Sequence, residues 1–261
     1  MAATVAAPDV EEFVFGNLKV SVHANTSSMA LAAAQKAGAV IRDAVAENGT
    51  ANLMFATGNS QIEFITELVC LPDIPWSSVN LFHLDEYVGV GPDHPAGFQR
   101  WIRERIANCV NPNSAHFIDG LADPDEESRR YARLIKQHPL DLCCVGIGEN
   151  GHLAFNEPGQ SSFADERWVR VVALTEQSRQ QQVNDGCFEV LSEVPREAVT
   201  MTIPALLSAR HIVAVVPGSR KAAALSRVLD GTVSEDCPAT ALRGHASAQV
   251  FADLAALQAR R

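Results

Sequence analysis

Four short apolar runs, each closing on a polar segment, set the tightest limit on how this chain can fold. They are Ala51–Ala56 before Thr57-Gly58-Asn59-Ser60, Val79–Leu84 before Asp85-Glu86-Tyr87, Leu140–Val145 before a loop at Gly146–Gly159, and Ile212–Val216 before Pro217-Gly218-Ser219-Arg220-Lys221. Runs that are apolar on both faces suit strands covered from each side, which is how helices cover a parallel sheet. Between them the spacing turns helical. Ser28–Asn48 carries apolar residues at Leu31, Ala34, Ala37, Ile41 and Val45, is weakened by Gly38, and is stopped by Gly49. Further helices are expected from Ser60 to Val69, at Gly97–Ala107, Asp125–Gln137 and Gln177–Glu189, and from Lys221 to Leu229, with a short helical piece at Ile203–Ala209. One or two strands are expected in Glu12–His23, and single strands at Val169–Leu174 and Gln249–Phe251. The expected fold is α/β: a single-domain, doubly wound, mainly parallel sheet of Rossmann-like type flanked by helices, over residues 12–261 after a flexible tail at 1–11. In such sheets ligands bind outside the carboxyl ends of the strands, so the four polar segments should share one rim.

Composition narrows the partners. The 261 residues are 47% hydrophobic and 20% charged, an ordinary globular balance with chain enough for a large core. A formal charge of −10 argues against a general nucleic-acid or acidic-membrane surface, while leaving room for a small phosphorylated ligand held locally. No apolar run reaches transmembrane length, and Met1–Pro8 lacks the basic and apolar regions of a signal peptide. The six cysteines form no C-x-x-C pair, which points to structural thiols in a reducing, cytoplasmic setting.

The Gly146–Gly159 loop is chemically the densest stretch, with a histidine, carboxylates and four glycines. Gly146, Gly148 and Gly151 match the dinucleotide pattern G-x-G-x-x-G, but that fingerprint needs a helix running on from the third glycine. Pro158 and Gly159 interrupt within eight residues, so the match is accidental and no nicotinamide or flavin is expected. His152 and Glu157 read instead as a base and its orienting carboxylate. Asp85 and Glu86 are adjacent at a strand end and should point to opposite sides, so one of them reaches a ligand. Thr57, Gly58, Asn59 and Ser60 offer hydroxyls and helix-start N–H groups to an anion. Lys221, in the first turn of a helix, is poorly placed for the helix dipole and well placed for a phosphate. His83, His94 and His138 lack zinc spacing and read as structural, and no metal is expected. There is no G-x-S-x-G elbow for a serine hydrolase.

Taken together, Thr57-Gly58, Leu84-Asp85-Glu86-Tyr87-Val88-Gly89, Asp93-His94-Pro95, Gly146-Ile147-Gly148, Gly151-His152, Ala154-Phe155-Asn156-Glu157-Pro158-Gly159 and Pro217-Gly218-Ser219-Arg220-Lys221-Ala222 resemble the glucosamine-6-phosphate deaminase family. Val194-Pro195 and Ala198-Val199-Thr200 fit the same pattern. The resemblance runs in order over about residues 28–252. It implies hydrolytic deamination and aldose–ketose isomerisation of D-glucosamine 6-phosphate to D-fructose 6-phosphate and ammonia, without metal or organic cofactor. It further implies that His152 opens the sugar ring, supported by Glu157 and Asn150, and that Asp85 moves the C2 proton. Two positions depart from the pattern. Asn150 stands where some members carry Asp, and the family's phosphate arginine has no clear match in Ser178–Asn184, leaving Arg179 as the expected substitute. The related 6-phosphogluconolactonases typically lack F-N-E-P-G after the histidine, which makes lactone hydrolysis the second choice, beside action on another amino sugar phosphate. A sugar-phosphate sensor is the reading from another class, and neither a helix-turn-helix nor a basic segment supports it. The short tail after Phe251 implies no activator site of the allosteric hexameric kind, and a homo-oligomer is left open.

Overall fold

The structure, a computed structural model, describes residues 10–260. Residues 1–9 of the expected tail lie outside that range, and Glu11 is already strand. β1 (Glu11–Phe15) and β2 (Leu18–His23) form a hairpin, followed by α1 (Thr26–Asn48) and β3 (Ala51–Phe55). A 3₁₀ turn at Asn59–Gln61 leads into α2 (Ile62–Cys70), and then come β4 (Val79–His83) and β5 (Asp85–Tyr87). α3 (Phe98–Ile102) continues through a π turn at Arg103–Ala107 into α4 (Asn108–Val110), then β6 (Ser114–Ala115), α5 (Pro124–Gln137) and β7 (Leu142–Gly146). The remainder is β8 (Val169–Ala173), α6 (Glu176–Asn184), β9 (Glu197–Met201), α7 (Ile203–Leu207), β10 (His211–Val216), α8 (Ala222–Asp230) and β11 (Ala248–Asp253).

Eight strands form the main sheet in the order β1-β2-β11-β10-β7-β3-β4-β6, parallel throughout except for the β1–β2 hairpin. The chain winds outward from β3 to β4 and β6, then crosses to the other side of β3 for β7 and β10. The reversal falls between β3 and β7. There the crossovers diverge and leave a crevice at the carboxyl ends of the strands. One apolar core fills the face lined by Val20, Met54, Phe82, Val145 and Ala214, and a second fills the other, lined by Leu53, Phe55, Leu81, Cys144 and Val215. Alternate residues of each strand feed alternate cores, which is why the runs read as continuously apolar.

α1 begins at Asn25, whose side chain accepts from the Ser28 amide at 2.9 Å, and ends at Gly49, where φ is +77°. The glycine that weakens its pattern has a packing reason. A Cβ on Gly38 would lie 2.8 Å from Leu71 Cδ1 and 3.1 Å from Ile74 Cδ1, so the tips of those side chains pack into the room the glycine leaves.

A second, three-stranded antiparallel sheet, β5-β9-β8, is the main departure from expectation. Asp85–Tyr87 is not the end of β4 but a separate strand pairing with β9, Asp85 opposite Thr200. Val169–Leu174 contributes β8 to the same small sheet rather than to the parallel one. β9 itself was not expected as a strand, since Glu197-Ala198-Val199-Thr200-Met201 is too short and too mixed for its pattern to stand out. Leu84, the single residue between β4 and β5, joins the two sheets: its N–H donates to Phe55 O in one and its carbonyl accepts from Met201 N in the other. The small sheet packs on Tyr87, Val90, Phe155, Val172, Leu174 and Ala198. The helix expected to reach Glu189 ends at Asn184, and the one expected at Gly97–Ala107 runs on from Phe98 with a π-helical stretch at Arg103–Ala107.

Candidate active site

The parallel strands bring all four polar segments to one rim, where they line a cavity of about 710 Å³. Thr57, Gly58, Asn59 and Ser60 form the wall after β3. Asp85 comes from the first residue of β5, Gly146–Glu149 and His152 follow β7, and Pro217–Lys221 follow β10. Pro95–Phe98, Trp101 and Arg105 enclose one side, and Gln181, Gln182 and Asp185–Cys187 another.

Asp85 is 7% exposed. Burial, reinforced by the charge of Glu86, pushes its carboxyl up to about 8. Its neighbour faces away from the cavity. Glu86 accepts from the amides of Tyr87 at 3.0 Å, Phe98 at 3.1 Å and Gln99 at 2.7 Å, capping the start of α3. Burial still holds it up, to about 7, against those three donors. The pleat thus gives two adjacent carboxylates different work.

The loop after β7 turns tightly, with Gly148 N donating to His152 O and Gly151 N to Gly148 O, both at 3.0 Å. A Cβ on Gly148 would overlap the His152 ring, so the backbone passes against the imidazole face only as glycine. His152 Nδ1 lies 3.1 Å from Glu157 Oε1, close enough for ion pairing although not aligned as a hydrogen bond. Asn150 Nδ2 donates to Glu157 Oε2 at 2.5 Å, Asn150 Oδ1 accepts from His152 N at 3.1 Å, and Ser178 Oγ donates to Glu157 Oε1. Burial acts to raise the Glu157 pKa, but His152, Ser178 and Asn150 together outweigh it and hold the carboxyl at about 2. Glu157 is therefore a fixed anion behind the histidine. Asn156 staples the loop to the small sheet, donating to Leu153 O at 2.9 Å and Met201 O at 2.7 Å.

Lys221 lines the same cavity as the Thr57–Ser60 turn, and desolvation, the largest influence on it, lowers its pKa. Arg179 does not reach the cavity. Its guanidinium donates to the carbonyls of Leu191 and Val194, where it pins the turn before β9, so its expected place at a phosphate is corrected. His83, His94 and His138 are tied to the frame: His83 Nε2 accepts from Ile118 N, His94 Nδ1 from Ala96 N, and His138 Nδ1 meets Leu134 O. Among the described residues, no group of three His, Cys, Asp or Glu is placed to hold a metal, and no helix is long and apolar enough to cross a membrane. Sequence reasoning missed Ser178, whose place three residues after Thr175 reads as an ordinary helix start. It also missed the cluster Arg220, Glu149 and Asp185, drawn from three separate segments with no shared motif.

A mainly parallel α/β sheet whose strand-end crevice gathers the buried Asp85, His152 backed by Glu157, and the helix-start turns at Thr57–Ser60 and Pro217–Lys221 has the layout of an α/β enzyme. Residues 24–251 match the family described as glucosamine-6-phosphate isomerases/6-phosphogluconolactonase, and the chain belongs to that family. It is 41% identical over 176 residues to a glucosamine-6-phosphate deaminase of Exiguobacterium sibiricum, covering 67% of this chain and 68% of the other. To the glucosamine-6-phosphate deaminase of Streptococcus equi subsp. zooepidemicus it is 35% identical over 218 residues, covering 83% and 90%. A solved monomeric glucosamine-6-phosphate deaminase superposes with a TM-score of 0.84 at 31% identity, covering 92% of this chain and 99% of that one. The 6-phosphogluconolactonase of Trypanosoma brucei superposes at 0.76 and 16% identity, covering 96% and 100%, a likeness of fold alone.

Proposed function

We propose that the protein is a glucosamine-6-phosphate deaminase, converting D-glucosamine 6-phosphate and water to D-fructose 6-phosphate and ammonia. The observation that carries this reading is one cavity lined together by Asp85, by His152 backed by Glu157, by Lys221 and by the Thr57–Ser60 turn. The phosphate sits at Thr57, Gly58, Asn59, Ser60 and Lys221. His152 takes the proton of the anomeric hydroxyl and delivers one to the ring oxygen as the C1–O5 bond breaks, giving the open-chain amino aldehyde. The Glu157 anion stabilises the imidazolium that forms in between, and Asn150 orients both groups. Asp85, as carboxylate, removes the C2 proton. The electron pair forms the C1–C2 double bond of an enolamine while O1 gains the proton that the substrate's ammonium gives up. Asp85 then returns its proton to C1, leaving a ketimine at C2. Water adds to C2 and ammonia leaves, giving the ketone. Each proton-transfer group contributes roughly 10²–10⁴-fold to rate. The same reading places the enzyme in the cytoplasm, where its six thiols stay reduced.

The test is ammonia release from glucosamine 6-phosphate, with galactosamine 6-phosphate and 6-phosphogluconolactone assayed beside it. Glucosamine 6-phosphate is expected to give ammonia and fructose 6-phosphate in equal amounts. Ammonia from galactosamine 6-phosphate alone, or hydrolysis of the lactone alone, would overturn the assignment.

A further inference from the structure

The anion end of the cavity contains more charge than the proposed chemistry has used. Arg220, next to Lys221 on the turn after β10, lines the cavity and is held by two acids from different segments. Its Nε and Nη2 lie 2.7 Å from Glu149 Oε1 on the histidine loop, and its Nη1 lies 3.0 Å from Asp185 Oδ1 just after α6. Asp185 is braced in turn. Gln181 Nε2 donates to its Oδ2, and Asn59 Nδ2, on the phosphate-facing turn, donates to its backbone carbonyl, each at 3.4 Å. Lys221 makes no ion pair among the described residues, so the turn presents one cation that is committed and one that is not.

Three physical points follow. A phosphate monoester dianion is poorly matched by one ammonium and well matched when a planar guanidinium adds a fork of two donors. The Arg220 side chain is 57% exposed, so its ion pairs are worth little and are exchanged at low cost. The two carboxylates hold separate donors of the guanidinium, so a dianion can displace Asp185 while Glu149 keeps its hold. Arg105, the other arginine on the cavity wall, is instead stacked on Trp101, 5.4 Å from the ring centre.

We propose that Arg220 is the second phosphate-binding cation of this cavity, held in place by Glu149 and Asp185 until the phosphate takes over its guanidinium. Asp185 and the phosphate then compete for one fork. Binding of the sugar phosphate loosens the tie between the turn after β10 and the segment after α6. The inference rests on the sugar-phosphate reading of the cavity and adds to it the residue that selects for the phosphate.

The test compares Arg220→Ala, Arg220→Lys and Asp185→Asn, reading KM and kcat for glucosamine 6-phosphate and the dissociation constant of inorganic phosphate by calorimetry. Losing a charged hydrogen-bonding partner of the ligand should raise KM and the phosphate dissociation constant roughly ten- to hundredfold in Arg220→Ala, with a smaller effect on kcat. Arg220→Lys should recover part of the loss. Asp185→Asn should shift both constants the opposite way, towards tighter binding, because it removes the competitor. If Asp185→Asn weakens binding as Arg220→Ala does, the cluster is a structural brace and the proposal fails. An unchanged phosphate dissociation constant in Arg220→Ala also overturns it. Failure of the parent reading looks different: the unaltered enzyme would release no ammonia from any amino sugar phosphate, while phosphate binding still depended on Arg220.

Discussion

Asp85 and Glu86 show how far two adjacent, chemically similar side chains can be driven apart by the pleat of one short strand. Glu86 is used up by three backbone amides, whereas Asp85 has the cavity before it and a pKa raised to about 8. A base must be ionised to act, so kcat/KM, which reports the free enzyme, should climb with pH and level off above about 8. Asp85→Asn should abolish exchange of the C2 proton with deuterated water, followed by NMR. Retained exchange would remove Asp85 from the role. The alternation of strand side chains made this split legible in the sequence, as did the pairing of His152 with Glu157. The failure of Arg179 was not legible, because carbonyls at Leu191 and Val194 capture its guanidinium and no local pattern announces where a turn will place its oxygens. Asn150 is clearer in the structure than in the sequence. Its amide donates to Glu157 and its oxygen accepts from His152 N, a two-ended link that an Asp, with no donor when ionised, could not make.

At the scale of elements, the Gly146–Gly159 loop is a rigid mount rather than a mobile flap. Its inner hydrogen bonds and the Asn156 staple fix it to β9, and Gly148 gives the imidazole its room. Gly148→Ala should therefore leave the fold intact by circular dichroism yet lower kcat by about a hundredfold, the cost of moving a catalytic group by about an ångström. A loss of stability equal to the loss of rate would show that the glycine serves packing alone. The four parallel strands at the rim could be read from their unbroken apolar runs. The small sheet could not, because β5 is only three residues long and pairs with a strand more than a hundred residues away, Asp85 opposite Thr200. Gly38 illustrates the same limit. Propensity marks it as a weakness, and only the approach of Leu71 and Ile74 shows it to be a fit.

For the whole molecule, housing ionisable groups away from water leaves a trace in its stability curve. Asp85 and Glu86 have folded pKa values raised from 3.8 to about 8 and from 4.5 to about 7, so between those limits the folded state holds more protons than the unfolded one, and stability falls as pH rises. The buried His83, lowered from 6.5 to about 3, works the other way, but only below 6.5. From pH 6.5 to 8 the carboxylates act unopposed by it. The melting temperature should fall across that window, and Asp85→Asn should recover a few degrees at pH 8, at roughly 2–4 °C per kcal/mol for a chain of this size. An equal fall in the variant, followed by calorimetry, would assign the effect elsewhere. The junction at Leu84 carries a last consequence. Because one residue separates two sheets that both grip it, the chain there does not tolerate a change of length. Inserting or deleting a single residue would turn β5 over, hand the cavity to the glutamate, and send the aspartate to cap the helix. Lineages descended from this protein should therefore almost never carry a gap or an insertion between His83 and Tyr87.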